Sequence, residues 1–229
     1  EGMSTKEIYK HAFFLLRKKY RKAAIKYSLR AAVSELGPTG FPFEKFIAEI
    51  FKSKGYETKT GEIVMGSCVA HEVDVVAWNE NKLIMCEAKF HNQIGFKSDL
   101  KVALYVKARF DDLKEAKHYY GKERNLDEGW LVTNTKFTQT AIHYAECKGL
   151  KLIGWNYPVK GNLQDLIDDT AVHPVTCLTT LSKHQKVSLL SQNIVLCRQL
   201  IPQVEILKSF GFSDAKINTV LQEIALLGQ

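Results

Sequence analysis

The sequence predicts a mixed α/β domain, a central sheet flanked by helices, with helical segments before and after it. Apolar residues follow a helical period up to residue 54, and from 56 to 90 they follow the alternating or continuous apolar patterns that are typical of strands. Helical and strand patterns then alternate up to residue 155, and after Pro158 the pattern is entirely helical. This order of elements is typical of an α/β sandwich with helical appendages.

The first segment, residues 1–38, is predicted to be helical. Ser4-Thr5-Lys6-Glu7 fits a capping box, in which a serine oxygen and a glutamate carboxylate satisfy free N–H groups at a helix start. A first helix is expected to end near Lys18. A second is expected to end at Leu36, before a Gly-Pro pair that cannot continue it.

Residues 39–158 hold the predicted core, in the order helix, three strands, helix, strand, helix and strand. The expected bounds are 43–54, 56–65, 72–78, 82–90, 97–120, 129–134, 138–148 and 150–155. Residues 159–229 are expected to form a helical C-terminal region, in which Ser182 and Ser213 are the predicted N-caps of two helices.

Composition and charge exclude several classes of protein. The 229 residues are 45% hydrophobic and 25% charged, and no apolar run reaches the roughly 20 residues that span a bilayer. Five scattered cysteines without CxxC spacing argue against a zinc knuckle and against a disulfide framework, and they favour a cytoplasmic protein. The net charge of +7 is already present in residues 1–30, which suits either a polyanionic partner or a solvated helical face.

Two neighbouring predicted strands carry acidic side chains among apolar ones. Strand periodicity places Asp74 on one face of the predicted strand 72–78. It places Glu87 and Lys89 together on one face of the predicted strand 82–90. If a two-residue turn at Glu80-Asn81 joins the strands, Asp74 lies directly opposite Glu87, with Cβ atoms about 4.5–5.5 Å apart. The prediction depends on that turn, because a slip of one residue moves the acids to opposite faces.

Directly opposed carboxylates destabilise a strand pair unless a cation compensates them. Hard carboxylate oxygens with open positions for water suit Mg²⁺ or Mn²⁺ rather than zinc, so Asp74 and Glu87 are candidate metal ligands. Lys89 can then orient a water or stabilise charge that develops on a phosphate. The alternative is a solvent-facing hairpin with cross-strand acid–lysine pairs.

Two further residues flank this hairpin. Glu44 lies at the edge of the apolar stripe of helix 43–54, where its carboxylate either faces the adjacent site or is simply half-exposed. His91, two residues beyond Lys89, is a candidate phosphate contact, and its alternative is a structural histidine at the end of a strand.

Three motifs in this order resemble the Mrr-like restriction endonuclease domain of the PD-(D/E)xK nuclease superfamily. They are Phe43-Glu-Lys-Phe-x-Ala-Glu-x-Phe-x-x-x-Gly-Tyr56, Glu72-Val-Asp-Val-Val-Ala77 and Cys86-Glu-Ala-Lys89. Segments 131–134, 137–141 and 149–153 resemble the closing half of the same domain, so that the similarity covers roughly residues 39–157.

The resemblance implies a restriction-endonuclease-like core and Mg²⁺-dependent hydrolysis of double-stranded DNA. By that pattern Asp74 and Glu87 would be metal ligands, Lys89 the catalytic lysine and Glu44 the helix-borne acid. Many domains of this type have glutamine in the position of Glu87, where this chain has a carboxylate that is fully competent to bind metal. Lys97 and Lys101, just after the active strand, would reach the DNA backbone.

Residues 1–38 resemble the last part of an ATP-cone, a regulatory nucleotide-binding module. The resemblance lies in Glu7-Ile-Tyr-Lys-His-Ala12, Tyr27-Ser-Leu-Arg30 and Leu36-Gly-Pro38. The leading half of such a module is absent, so the segment is either a remnant or a degenerate version, which argues against ATP binding.

The predicted function is therefore a Mg²⁺-dependent DNA endonuclease (with Mn²⁺ as the other suitable ion), acting in restriction and defence or in DNA repair. Two alternatives stay open: a nucleic-acid-binding module that keeps this fold without turnover, and a nucleotide-regulated assembly protein. Cutting both strands of a duplex favours a homodimer, and no membrane partner is expected.

Overall fold

The computed structural model of the protein describes Ile8, residues 29–93 and residues 95–227. By their internal contacts these residues fall into two units, one of residues 37–172 and one of residues 29–36 with 173–227. The helix predicted to end near Lys18, and most of the segment that resembles an ATP-cone, lie outside the described residues.

The first unit contains nine strands and four helices among its described residues. In chain order they are α1 (Phe41–Ser53), β1 (Glu57–Met65), β2 (Ala70–Trp78), β3 (Leu83–Lys89), β4 (Lys97–Ser98), α2 (Leu100–Glu115), β5 (His118–Tyr120), β6 (Lys122–Arg124), β7 (Glu128–Thr133), β8 (Lys136–Phe137), α3 (Gln139–Lys148), β9 (Lys151–Ile153) and α4 (Leu163–Thr170).

Five of these strands form the central sheet, in the order β1-β2-β3-β7-β9. The first three are joined by hairpins and are antiparallel, whereas β7 and β9 follow helical crossovers and lie parallel to β3. The short strands pair separately, β4 with β8 and β5 with β6. The predicted class, a mixed sheet in an α/β domain, is confirmed.

Helices cover both faces of the sheet. On one face α2 and α3 contribute to an apolar cluster in which Val106 and Phe110 pack with Met85 of β3 and Leu131 of β7. On the other face α1 packs on the sheet, and the ring centroid of Phe51 lies 5.1 Å from that of Trp130. Within the described residues, no helix is long and apolar enough to cross a bilayer.

The prediction of one helix over 97–120 is wrong. Asp99 has an extended backbone and its side chain accepts a hydrogen bond from the N–H of Val102, which starts α2 at Leu100. Lys97 and Ser98 before it pair with β8 instead. Ala116 is again extended, which ends the helix. The β5–β6 hairpin follows and turns at Gly121, whose φ of +72° suits a residue without a Cβ.

The second unit is helical, as the sequence predicts for its C-terminal part. It contains α5 (Lys183–Ser191), α6 (Glu205–Ser209), α7 (Asp214–Leu227) and two short 3₁₀ turns, Val175–Cys177 and Cys197–Leu200. The Ser182–Gln185 capping box is present. Glu223 is fully buried, and its two carboxylate oxygens accept hydrogen bonds from the backbone and hydroxyl groups of Thr179 and Thr180, so its charge is fully solvated by the protein.

Asp112 of α2 fixes the turn between β1 and β2. Its carboxylate accepts hydrogen bonds from the N–H groups of Cys68 (2.7 Å) and Val69 (3.3 Å), and Oδ2 lies 2.6 Å from Nε2 of His71. The hydrogen bond with His71, followed by those from the turn, lowers the pKa of Asp112 to about 2. This helix, which also borders the candidate site, is thereby anchored to the hairpin.

We expect Asp112→Asn to destabilise the protein at pH 7 and to matter less in acid. The folded-state pKa of about 2 lies below the value of roughly 3.9 for an unfolded aspartate, so the stabilisation is present above pH ~4 and is lost as the pH falls through about 2. Thermal melts of both proteins at pH 7, 4 and 3 measure this difference.

Asp111→Asn is the matched control. Asp111 neighbours Asp112, but its carboxylate is 54% exposed and contacts Lys107 on the helix surface, so its replacement should leave Tm nearly unchanged. A Tm difference for Asp112→Asn that does not change with pH would contradict the assigned role of the carboxylate.

Candidate active site

The β2–β3 hairpin has the two-residue turn on which the candidate site depends. The N–H of Asn79 donates to the carbonyl of Lys82 (3.0 Å), and the side-chain oxygen of Asn79 accepts from the N–H groups of Asn81 and Lys82, each at 2.9 Å. The cross-strand partners nearest the site are Val75 and Cys86. The predicted turn and register of the hairpin are therefore confirmed.

The ladder ends at that pair, and continuing its register by one step would bring Asp74 level with Glu87. Oδ2 of Asp74 accepts a hydrogen bond from the N–H of Ala88 at 2.7 Å, so the side chain of one strand binds the backbone of the next. This bond fixes the Asp74 carboxylate at the end of the hairpin ladder. The two acids lie on the α2 side of β2 and β3, where the apolar core of that face ends.

Glu87 has a partner that the sequence does not single out. Its carboxylate accepts a hydrogen bond from Nη1 of Arg109, on α2, and the two side chains are only 15% and 12% exposed. Nη1 of Arg109 also donates to the carbonyl of Glu72 (3.0 Å), and Nη2 donates to the hydroxyl of Tyr105. A half-buried acid predicts a nearby cation, but α2 carries three lysines as well as Arg109, and the sequence does not say which of the four faces Glu87.

The electrostatics of the acid pair disfavour ionisation. Burial raises the pKa of Asp74, against the opposing effects of the Ala88 N–H and the Arg109 charge. Burial also raises the pKa of Glu87, and the nearby Asp74 charge raises it further. The fold therefore holds two carboxylates where a second positive charge would be stabilising.

Glu44 of α1 is a third acid in the same electrostatic field. Burial, followed by the charges of Asp74, Glu72 and Glu87, raises its pKa to about 7. Among the described residues, however, there is no group of three or more His, Cys, Asp or Glu side chains placed to hold a metal ion. The donor set that fits a hard divalent cation is thus the Asp74–Glu87 pair, with Glu44 close enough to act electrostatically.

Lys89 and His91 follow Glu87 at the carboxyl end of β3. Lys89 is exposed, and its charge lowers the pKa of both Asp74 and Glu87. His91 is held in place: its N–H donates to Oδ1 of Asn134 at 2.8 Å, and its ring stacks on Phe96 at 5.4 Å. Burial, followed by the Lys89 charge, lowers the pKa of His91.

The two predicted DNA contacts lie on different elements. Lys97 is in β4, where its partner across the strand pair is Lys136 of β8, and Lys101 is in the first turn of α2. All three lysines are exposed.

Comparison with known proteins identifies two matched segments. Residues 38–156 match Mrr_cat, described as restriction endonuclease, and residues 173–227 match the family AF1548-like, C-terminal. An uncharacterized protein of Archaeoglobus fulgidus is 38% identical over 178 residues, which are 77% of this chain and 97% of that protein. Neither matched family covers residues 1–37, so the resemblance to an ATP-cone gains no support.

Solved structures also show similarity to this chain. The crystal structure of a protein of unknown function, AF1548, has a TM-score of 0.64 and 34% identity, and the match covers 83% of this chain and 99% of that one. The MspJI restriction endonuclease in complex with a 27-mer oligonucleotide matches with a TM-score of only 0.30 and 15% identity, over 82% of this chain and 42% of that chain, a likeness that supports no argument.

The raised pKa of Glu44 predicts a stabilising substitution in metal-free protein. An unfolded glutamate titrates near pH ~4.3, so the ionised Glu44 side chain costs stability as the pH rises through its folded pKa of about 7. We expect Glu44→Gln to be more stable than the wild type at pH 8 by on the order of 1 kcal/mol, allowing for screening at a half-exposed group. Below pH ~4.3 the two proteins should be equal. Urea unfolding in EDTA at pH 8, 6 and 4 measures the gap.

Glu80→Gln, on the exposed turn of the β2–β3 hairpin, is the control and should leave the free energy of unfolding nearly unchanged at each pH. If Glu44→Gln were destabilising at pH 8, burial and the nearby acids would not raise the pKa of Glu44 in the folded protein.

Proposed function

This chain belongs to the restriction endonuclease family, and we propose that it is a Mg²⁺-dependent endonuclease that hydrolyses phosphodiester bonds of double-stranded DNA. The observation that carries the proposal is the opposition of Asp74 and Glu87 at the end of the β2–β3 hairpin, with Lys89 beside them. Two half-buried carboxylates with raised pKa values stabilise a hairpin poorly, but they suit a hard divalent cation.

In this proposal each residue has a separate role. Asp74 and Glu87 would hold the ion, which polarises the phosphate and makes a bound water easier to deprotonate. Lys89, with its exposed ammonium near the pair, would stabilise charge on the phosphate or orient the attacking water. Glu44, with a pKa of about 7, can exchange a proton near neutral pH and is the candidate acid or base.

The exposed lysines supply the proposed DNA contacts. Lys97 and Lys136 are exposed partners across β4 and β8, and Lys101 is exposed in the first turn of α2. Such contacts position a duplex through its phosphates without reading its sequence. His91, stacked on the exposed ring of Phe96, is a further proposed contact. Cutting both strands would require two such sites, which a homodimer provides.

A second candidate function is a nucleic-acid-binding module without turnover. The observation that favours it is the pairing of Glu87 with Arg109, which already neutralises one of the two carboxylates without a metal ion. Asp74 has a raised pKa and no hydrogen-bonded cation of its own among the described residues, which suits a metal ligand better than a purely structural acid, so we favour the nuclease. Cleavage assays separate the two.

We expect the chain to cut plasmid DNA in Mg²⁺ or Mn²⁺ and to lose at least ~100-fold in rate in Asp74→Asn, Glu87→Gln and Lys89→Met. The first two variants remove charge from the proposed ligands with little change in shape, and the third removes only the ammonium. Rates of supercoiled plasmid loss, measured with purified protein and with EDTA as a blank, test this expectation.

Lys82→Met is the matched control, since Lys82 directly precedes the strand of Lys89 but pairs with Glu128 away from the acids. It should cut as the wild type does. Cleavage that persists undiminished in Asp74→Asn and Lys89→Met would exclude this site, whereas DNA binding without any cleavage would favour the silent module.

Lys97→Ala and Lys101→Ala should each weaken DNA binding and reduce its salt dependence. Each phosphate contact contributes about 0.9 to the slope of log K against log salt concentration, so each substitution should lower the slope by roughly 1. Fluorescence anisotropy with a duplex, in an Asp74→Asn background at several salt concentrations, measures the slope.

Lys114→Ala is the control for a general loss of charge, because Lys114 is an exposed lysine in the last turn of α2, the helix that begins beside Lys101. An unchanged slope for Lys97→Ala and Lys101→Ala, or an equal change for Lys114→Ala, would remove these two lysines from the proposed interface.

A further inference from the structure

Arg109 occupies the candidate site from the α2 side. Three groups accept hydrogen bonds from its guanidinium: the carboxylate of Glu87, the carbonyl of Glu72 and the hydroxyl of Tyr105. The guanidinium carbon also lies 4.7 Å from the centre of the Tyr105 ring. A side chain held by three partners and only 12% exposed has one defined position in the site.

Two cations already act on the acid pair without a metal ion. Arg109 and Lys89 both lower the pKa of Asp74 and of Glu87, whereas Glu72 and Glu44 add further negative charge to the same field. Arg109 is the cation in direct contact, because it alone of the two is hydrogen-bonded to Glu87 in the described structure. A divalent ion that binds Glu87 must therefore take the carboxylate from the guanidinium or share it.

Loss of Glu87 would leave the guanidinium with two of its three acceptors. The contacts of Arg109 with the Glu72 carbonyl and the Tyr105 hydroxyl do not involve Glu87, so they can persist when the carboxylate turns away. The Nε–H of Arg109 is buried without a hydrogen-bond partner among the described residues, so the guanidinium is held by the Glu72 carbonyl and the Tyr105 hydroxyl alone in that state. Its charge stays near the incoming ion and repels it.

We propose that Arg109 is a resident cation that holds Glu87 in the metal-free protein and competes with the divalent ion for its carboxylate. Arg109 is thereby a positioning residue that lowers the metal affinity of the site. The inference rests on the proposed function, since it concerns the same two ligands. It predicts that substitution of a residue in the site, Arg109, increases the affinity for the metal ion.

The test measures Mn²⁺ binding by calorimetry at pH 7.5, with the full chain and without DNA. We expect Arg109→Met and Arg109→Gln to bind Mn²⁺ about tenfold more tightly than the wild type, because the competing charge is gone. Arg109→Gln still offers an N–H to the Glu72 carbonyl, so it serves if Arg109→Met does not fold. Arg109→Lys keeps the charge and should bind close to the wild type. Circular dichroism establishes that each variant is folded.

Lys107→Met is the matched control, because it removes a positive charge from the same helix where Lys107 pairs with Asp111 rather than with the acid pair. Its Mn²⁺ affinity should equal that of the wild type. A similar gain in Lys107→Met would show a general effect of net charge and would overturn the role of Arg109.

The remaining outcomes separate this inference from the proposed function. If the wild type binds Mn²⁺, loses it in Asp74→Asn and shows no gain in either neutral Arg109 variant, the inference is wrong and the metal site stands. Binding that appears only in the neutral Arg109 variants would support the inference, since Arg109 then blocks the site. Absence of binding in every protein would overturn both. If Mn²⁺ binds with the expected gain but DNA is not cleaved, the proposed role of Arg109 is supported and the proposed nuclease function is wrong.

Discussion

The hydrogen bond from the Ala88 N–H to the Asp74 carboxylate is the contact on which the site depends. It joins β3 to β2 just beyond the last backbone-paired residues of the hairpin. It depends on the strand register, which the turn at Asn79 sets at the other end of the hairpin. A different turn length would move Asp74 to the opposite face and leave the Ala88 N–H without this acceptor. The geometry of the acid pair is therefore a property of the hairpin, not of the acids themselves.

Placing two carboxylates at the edge of an apolar core costs free energy that other elements of the fold offset. Burial raises the pKa of both acids, and the compensating charge comes from α2, a different layer of the domain. That helix is held to the sheet by its apolar face and to the β1–β2 turn by Asp112. The position of Arg109 thus follows from packing that is remote from the acids, which links the stability of the domain to the electrostatics of the site.

Much of this arrangement follows from sequence pattern, and the rest needs three dimensions. The apolar alternation and the short polar turn were sufficient to predict the strands and the level of Asp74 with Glu87, since both are local properties of one hairpin. The helix predicted over 97–120 was wrong because its ends are set by Asp99 and by strand partners far along the chain, such as β8. Arg109 was not singled out for a similar reason. Its role depends on which face of α2 meets the sheet, and six basic residues in the predicted helix gave no means to choose.

The pairing of Glu87 with Arg109 also explains why the two candidate functions share one structure. A module that only binds nucleic acid needs its buried acids neutralised permanently, and a metal-dependent nuclease needs them neutralised until the ion arrives. The same guanidinium satisfies both requirements, so the static arrangement of the acids does not by itself distinguish them. The difference lies in how the free energy of the Glu87–Arg109 contact compares with that of a divalent ion bound to Glu87 and Asp74. Tyr105 and the Glu72 carbonyl reduce the cost of giving Glu87 to the ion, because they retain the guanidinium when Glu87 leaves it.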